Sequence, residues 1–173
     1  RGHSCLSGMY ACDWDHFANQ SSKNARKKSF IFVGRYIYRK GLDILLKAYE
    51  KYREMSDEPW QLLTAGTGPL KRNIESAAGT VDLGFIQPDK LPSVLKDASV
   101  FILPSREEPW GVVVQEAAAS GLPLICSDSS GAAVHLLREE YNGYIFENEN
   151  VDQLTHFLLR MHNCNHHTLK EMS

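Results

Sequence analysis

At 173 residues the chain fits one domain and is long enough to bury a sizeable core. Its apolar fraction of 43 % and charged fraction of 23 % are ordinary for a globular protein, and a net charge of −2 excludes the basic excess of a general nucleic-acid binder. No apolar run approaches the ~20 residues that span a bilayer, and no signal peptide opens the sequence.

The four cysteines, Cys5, Cys12, Cys126 and Cys164, are scattered without C-x-x-C spacing, which suits reduced cytosolic thiols better than a disulfide framework or a zinc site. A start at Arg1 rather than Met leads to the expectation of a fragment. Residues 1–28 are polar and irregular, with Lys23, Arg26, Lys27 and Lys28 at their end, and read as a linker.

From residue 29 short apolar runs alternate with helical patterns. Strands are predicted at 29–33, 60–65, 81–85, 99–103, 122–126 and 143–146. A helix over 42–55 places Leu42, Leu45, Leu46, Tyr49 and Tyr52 on one face at steps of three and four. Pro69 suits the first position of a second helix. Further helices are predicted at 89–96, 111–120 and 132–138. A closing helix over 151–162 turns Leu154, Phe157, Leu158 and Met161 inward, and 163–173 reads as a polar tail. Short apolar strands separated by helices imply an α/β, doubly wound, Rossmann-like parallel sheet of about six strands over 29–162. In such sheets ligands sit beyond the carboxyl ends of the strands.

Two loops there carry chemistry. The first runs from Gly34 to Gly41 and packs Arg35, Arg39 and Lys40 between a strand end and a helix start. Guanidinium forks and an ammonium make a diphosphate clamp; the alternative is a solvated basic loop. The second runs from Ser105 to Trp110, and the amides of Gly111, Val112 and Val113 open the following helix toward the crevice. Glu108 precedes that helix and Glu116 lies within it, too far apart to share a proton. Either carboxylate can accept hydroxyls of a ribose or hexose, although Glu108 could instead serve only the helix dipole. Glu116 sits among Val112, Val113, Val114, Ala117, Ala118 and Ala119, so a charge there requires a partner. A third turn, with Gly66 and Gly68, lines a pocket or is a plain tight turn. The dinucleotide fingerprint and the P-loop pattern are both absent. His162, Asn163, Cys164, His166 and His167 invite a metal site, but no second cluster matches them and a disordered tail is the preferred reading.

Taken in order, these loops resemble the C-terminal domain of retaining glycosyltransferases of the GT-B fold, group 1 (family 4). The matches are G-R-Y-I-Y-R-K-G-L-D-I-L-L-K-A-Y (34–49), L-T-A-G-T-G-P-L (63–70), L-G-F-I (83–86), A-S-V-F-I-L-P-S (98–105) and E-P-W-G-V-V-V-Q-E-A-A-A-S-G-L-P-L-I (108–125). The last holds the family's E-x7-E pattern as Glu108 and Glu116. N-G-Y-I-F (142–146) resembles its closing strand, and 11–17 resembles the segment joining the two domains.

The resemblance implies that Arg35 and Lys40 hold the donor diphosphate and stabilise the departing nucleoside diphosphate in place of a metal ion. It implies that Glu108 holds the transferred sugar and Glu116 the ribose. The amides of Gly111, Val112 and Val113 would touch sugar or phosphate, and the backbone at Ile86 would meet the base. A hexosyl unit would pass from a nucleotide sugar, the substrate, to an acceptor with its anomeric configuration kept and no cofactor or metal. The acceptor-binding N-terminal domain is absent, so the fragment alone is expected to bind a nucleoside diphosphate weakly and transfer nothing. A cytoplasmic location is implied, with peripheral association at the inner membrane face left open through the other domain. Two departures stand out. Trp110 replaces the usual Phe, and Gly131-Ala132-Ala133-Val134-His135 replaces a Gly-Gly-x-x-Glu element without supplying its Glu. The competing readings are a non-catalytic nucleotide-sugar-binding module and an epimerase or phosphorylase of the same fold.

Overall fold

The computed structural model describes residues 11–18, 26–164, 169 and 172. The apolar runs form six strands: β1 (Ser29–Val33), β2 (Gln61–Ala65), β3 (Thr80–Asp82), β4 (Val100–Leu103), β5 (Leu124–Ser127) and β6 (Gly143–Phe146). They make one parallel sheet in the order β3-β2-β1-β4-β5-β6. Every residue of β4 and β5 is buried, because helices cover both faces and no solvent face selects alternation.

The helices are α1 (Trp14–Ala18), α2 (Leu42–Glu54), α3 (Lys71–Ser76), α4 (Leu91–Asp97), α5 (Val112–Ala119), α6 (Gly131–Leu136) and α7 (Val151–Asn163). The predicted apolar faces of α2 and α7 are buried, and the two helices pack side by side. Asn150 caps α7 by accepting the Gln153 amide at 3.0 Å. Two tyrosines of α2 bury their rings and satisfy their hydroxyls. Tyr49 donates to the Trp60 carbonyl at 2.8 Å, and Tyr52 accepts the Trp60 amide at 2.7 Å.

Some predicted boundaries move. The helix after Pro69 begins at Lys71; Pro69 and Leu70 form a turn before it, and the Leu70 amide donates to the Tyr36 carbonyl at 3.0 Å. β3 ends at Asp82 rather than residue 85, since Gly84 takes φ 67° and turns the chain out of the sheet. The irregular N-terminal segment holds α1, which packs on α5 and buries Phe17. Arg26 donates to the Ser120 carbonyl at 3.0 Å, so the end of that segment is also bound to the domain. At the other end Asn163 completes α7, and Leu169 and Met172 are buried in the core, so the tail is not wholly solvated. His166 and His167 lie outside the described residues. Among the described residues no helix is long and apolar enough to cross a membrane.

From the central pair β1 and β4 the chain winds outward in both directions. The connections leaving these two strands therefore part at the switch point, where open α/β sheets leave a crevice.

Candidate functional site

The β1 loop ends in a 3₁₀ turn, Tyr38–Lys40, closed by Gly41 at φ 67°. A Cβ on Gly41 would stand 1.8 Å from the Pro104 carbonyl oxygen, so only glycine lets the loop lie flush on the end of β4. This contact brings Lys40 to Glu108, and the two form an ion pair whose side chains are 14 % and 11 % exposed. Arg35 and Arg39 are exposed and have no ion-pair partner among the described residues.

Glu108 is held through its backbone. It bridges to Ser130, its amide donating to the Ser129 carbonyl at 3.2 Å and its carbonyl accepting the Gly131 amide at 3.0 Å. Gly111, at φ 88°, caps α5. A Cβ there would come within 3.0 Å of Glu108 Cγ, so the cap and the carboxylate are fitted to each other.

These two loops enclose a cleft of ≈350 Å³. Gly34, Arg35, Arg39 and Lys40 form one wall, Glu108, Gly111, Val112, Val113 and Glu116 the other, with Val33 between them. Glu116 is half-buried, and burial pushes its carboxyl above the usual carboxylate range. Among the described residues its carboxylate has no hydrogen bond or ion pair. Burial also raises the Cys12 thiol, with the negative charge of Glu116 adding to the effect, which puts the chain before α1 beside this carboxylate.

A second cleft of ≈330 Å³ shares Val33, Gly34 and Arg35 and continues along Gly66, Thr67, Phe85, Ile86 and Leu91. Gly66 is required there, since a Cβ would stand 1.9 Å from the Gly34 carbonyl oxygen. Gly68 lines neither cleft; it packs on the Tyr36 backbone, with the carbonyl oxygen 2.5 Å from where a Cβ would be. Asp82 steadies the strip from Leu83 to Ile86 by accepting the Gly84 amide at 2.9 Å and the Tyr36 hydroxyl at 2.7 Å. Burial pushes the Asp82 carboxyl up, but these bonds and Lys71 outweigh it and hold it below its ordinary value.

Thr67 lines the second cleft as part of the Gly-x-Gly turn, whereas Phe85 and Leu91 carry no chemical motif of their own; Phe85, predicted as the last residue of a strand, lies beyond the end of β3 and is 65 % exposed. The two departures from the family pattern prove to be neighbours. The rings of Trp110 and His135 lie 5.6 Å apart at 33°. Among the described residues no group of three or more His, Cys, Asp or Glu could hold a metal ion.

The sequence profile of the family described as glycosyl transferases group 1 matches residues 14–172. The chain belongs to that family. Among group 1 relatives, an uncharacterized glycosyltransferase of Methanocaldococcus jannaschii is 33 % identical over 135 residues, covering 74 % of this chain and 34 % of its own. The sulfoquinovosyl transferase of Arabidopsis thaliana is 32 % identical over 114 residues, covering 64 % of this chain and 21 % of its own. The chain thus spans about a third or less of these curated relatives. In fold it is similar to TarM, with a TM-score of 0.79, 20 % identity and coverage of 90 % of this chain and 32 % of that one. WaaG, a glycosyltransferase involved in lipopolysaccharide biosynthesis, superposes with a TM-score of 0.75 at 18 % identity, over 95 % of this chain and 47 % of that one. The Rossmann-like group 1 architecture expected from the motifs is the one observed.

Proposed function

We propose that this chain is the donor-binding domain of a retaining glycosyltransferase that moves a hexosyl unit from a nucleoside-diphosphate sugar to an acceptor in glycan synthesis. The observation that carries this reading is Glu116: a half-buried carboxylate with no hydrogen bond or ion pair among the described residues, in the same cleft as exposed Arg35 and Arg39. A desolvated acid facing cations across a gap suits a ligand that offers hydroxyls at one end and phosphates at the other.

In this reading the ribose hydroxyls donate to Glu116, and the diphosphate lies between Arg35, Lys40 and the first amides of α5. The base enters the apolar second cleft beside Ile86. Glu108 accepts from the sugar once Lys40 turns to phosphate. As the glycosidic bond breaks, negative charge grows on the leaving diphosphate. The cations and helix-start amides are already aimed there, and need little rearrangement to stabilise it. TarM has been crystallised with UDP, which supports a nucleotide ligand for the same fold. The acceptor is assigned to an N-terminal domain outside this sequence.

Calorimetric titration of the full-length protein with uridine, guanosine and adenosine diphosphates, and with their sugar conjugates, tests the reading. One base should be preferred, and Lys40→Ala and Glu116→Ala should each weaken binding. Binding left unchanged by both substitutions would overturn it.

A further inference from the structure

Arg106 lies two residues before Glu108 and lines neither cleft, yet every nitrogen of its guanidinium donates a hydrogen bond. Nη1 and Nη2 donate to the two carboxylate oxygens of Asp43 at 2.7 and 2.8 Å. Nη1 also donates to the Tyr38 carbonyl at 2.8 Å, and Nε donates to Glu149 at 2.5 Å. The Cζ atom stands 3.6 Å over the Tyr38 ring. The backbone joins in. The Arg106 amide donates to the Arg39 carbonyl at 2.9 Å, and its carbonyl accepts Asn148 Nδ2 at 3.2 Å. One side chain thus ties together the 3₁₀ turn, the first turn of α2, the β4–α5 loop and the connection into α7.

The turn that carries Lys40 buries none of its side chains and has no side-chain cap. No apolar anchor holds it. Its seat on the domain is the Gly41 contact, the Lys40–Glu108 ion pair and the Arg106 bonds, and a bidentate fork on a carboxylate fixes orientation as well as distance. The coupling of the pair shows on both partners. Arg106 holds the Asp43 carboxyl below its ordinary value, and Asp43 holds the guanidinium above its own.

We infer that Arg106 is a positioning residue for the donor site, setting where Lys40 stands opposite Glu108 by fixing Tyr38 and Arg39. With four of its five N–H donors spent on protein acceptors and its side chain outside both clefts, it makes no contact with the nucleotide sugar itself. The inference rests on reading the cleft as a diphosphate clamp.

The test is a thermodynamic cycle on the full-length protein, with the preferred nucleoside diphosphate as titrant. Arg106→Gln should weaken binding about tenfold, the scale of one charge-assisted contact. In a Lys40→Ala background the same change should cost nothing further, because its effect passes through Lys40. Arg106→Lys, which keeps the charge and loses the fork, should fail to restore affinity. Asp43→Asn, the milder change should Arg106→Gln not fold, should reproduce the loss and likewise vanish beside Lys40→Ala. A purely structural role would lower the melting temperature and leave affinity unmoved. That result, losses that add to Lys40→Ala, or full rescue by Arg106→Lys would each overturn the inference. If Lys40→Ala alone leaves affinity unchanged, the clamp reading fails instead.

Discussion

Lys40 and Glu108, 68 residues apart in sequence, are bound to each other across the wall of the cleft. The proposed reaction gives them different ligands, phosphate to one and sugar to the other. A nucleoside diphosphate without its sugar must draw Lys40 away and leave Glu108 unpaired. The complete donor compensates both groups. Under the proposed function the pair should therefore favour nucleotide sugar over the spent nucleotide.

Glu108→Gln removes the competitor for Lys40. The variant should bind nucleoside diphosphate as tightly as the parent or a few-fold more tightly, while its preference for the sugar-bearing donor disappears. Parallel titrations with the two ligands measure this directly. A loss of nucleoside diphosphate affinity as large as that of Lys40→Ala would mean that Glu108 only holds Lys40 in place.

Glu116 carries the opposite cost. Burial raises its folded pKa, so the folded state holds this proton more tightly than the unfolded chain does. Stability on this account falls as pH rises from the ordinary value of 4.5 through the raised one. Glu116→Gln should then raise the melting temperature slightly at neutral pH without ligand. It should also weaken nucleoside diphosphate binding by about tenfold to a hundredfold, the range for a hydrogen bond to a charged group. A variant that is both less stable and equally avid would assign Glu116 to the fold.

How much of this could be read beforehand depended on range. The alternation of strand and helix is local, and residues 29–33 and 143–146 matched their strands end to end. The Arg–Lys loop and the E-x7-E pattern are also local, so their residues could be named before they were seen to share a cleft. Arg106 gave no such signal. Its partners Asp43 and Glu149 lie 63 and 43 residues away, and a single arginine on a loop is ordinarily solvated. Gly68 shows the same limit. A Gly-x-Gly turn has the same pattern whether its backbone meets a ligand or, as here, the main chain of Tyr36. The N-terminal segment appeared polar because one buried Phe17 is too little periodicity to announce a helix of five residues.

Gly41 joins fold to site directly. Gly41→Ala places a side chain at φ 67° and sets its Cβ against the Pro104 carbonyl. The backbone strain alone is worth about 1–3 kcal/mol, and relieving the clash must lift the 3₁₀ turn off β4. Thermal unfolding should show a fall of roughly 5–10 °C for a domain of this size. Lys40 should also lose register with Glu108, so donor affinity should fall in the fraction that stays folded. Unchanged affinity would separate the turn from the site.

The far end of the sheet sets a pH limit that has nothing to do with the donor. His162, near the end of α7, faces Tyr52 of α2 with Nδ1 2.7 Å from the hydroxyl, and its Nε2 is 3.4 Å from Ser56 Oγ. Its ring also lies 5.4 Å from that of Trp60. The Tyr52 hydroxyl already accepts the Trp60 amide, so its own proton is free to go to a neutral Nδ1. Burial lowers the His162 pKa from 6.5; Lys28 lowers it further, and Glu58 opposes them. A depressed folded pKa means that the unfolded chain takes the proton first. The stability tied to neutral His162 is therefore complete above pH 6.5 and drains away as pH falls from there through the folded value. Denaturant unfolding at pH 7.5 and pH 5.5 should show the loss. His162→Gln, whose amide oxygen can still accept from Tyr52, should be less stable at the higher pH and flatter between the two. If the two proteins lose stability in parallel, the acid sensitivity comes from another group and the α2–α7 contact does not titrate.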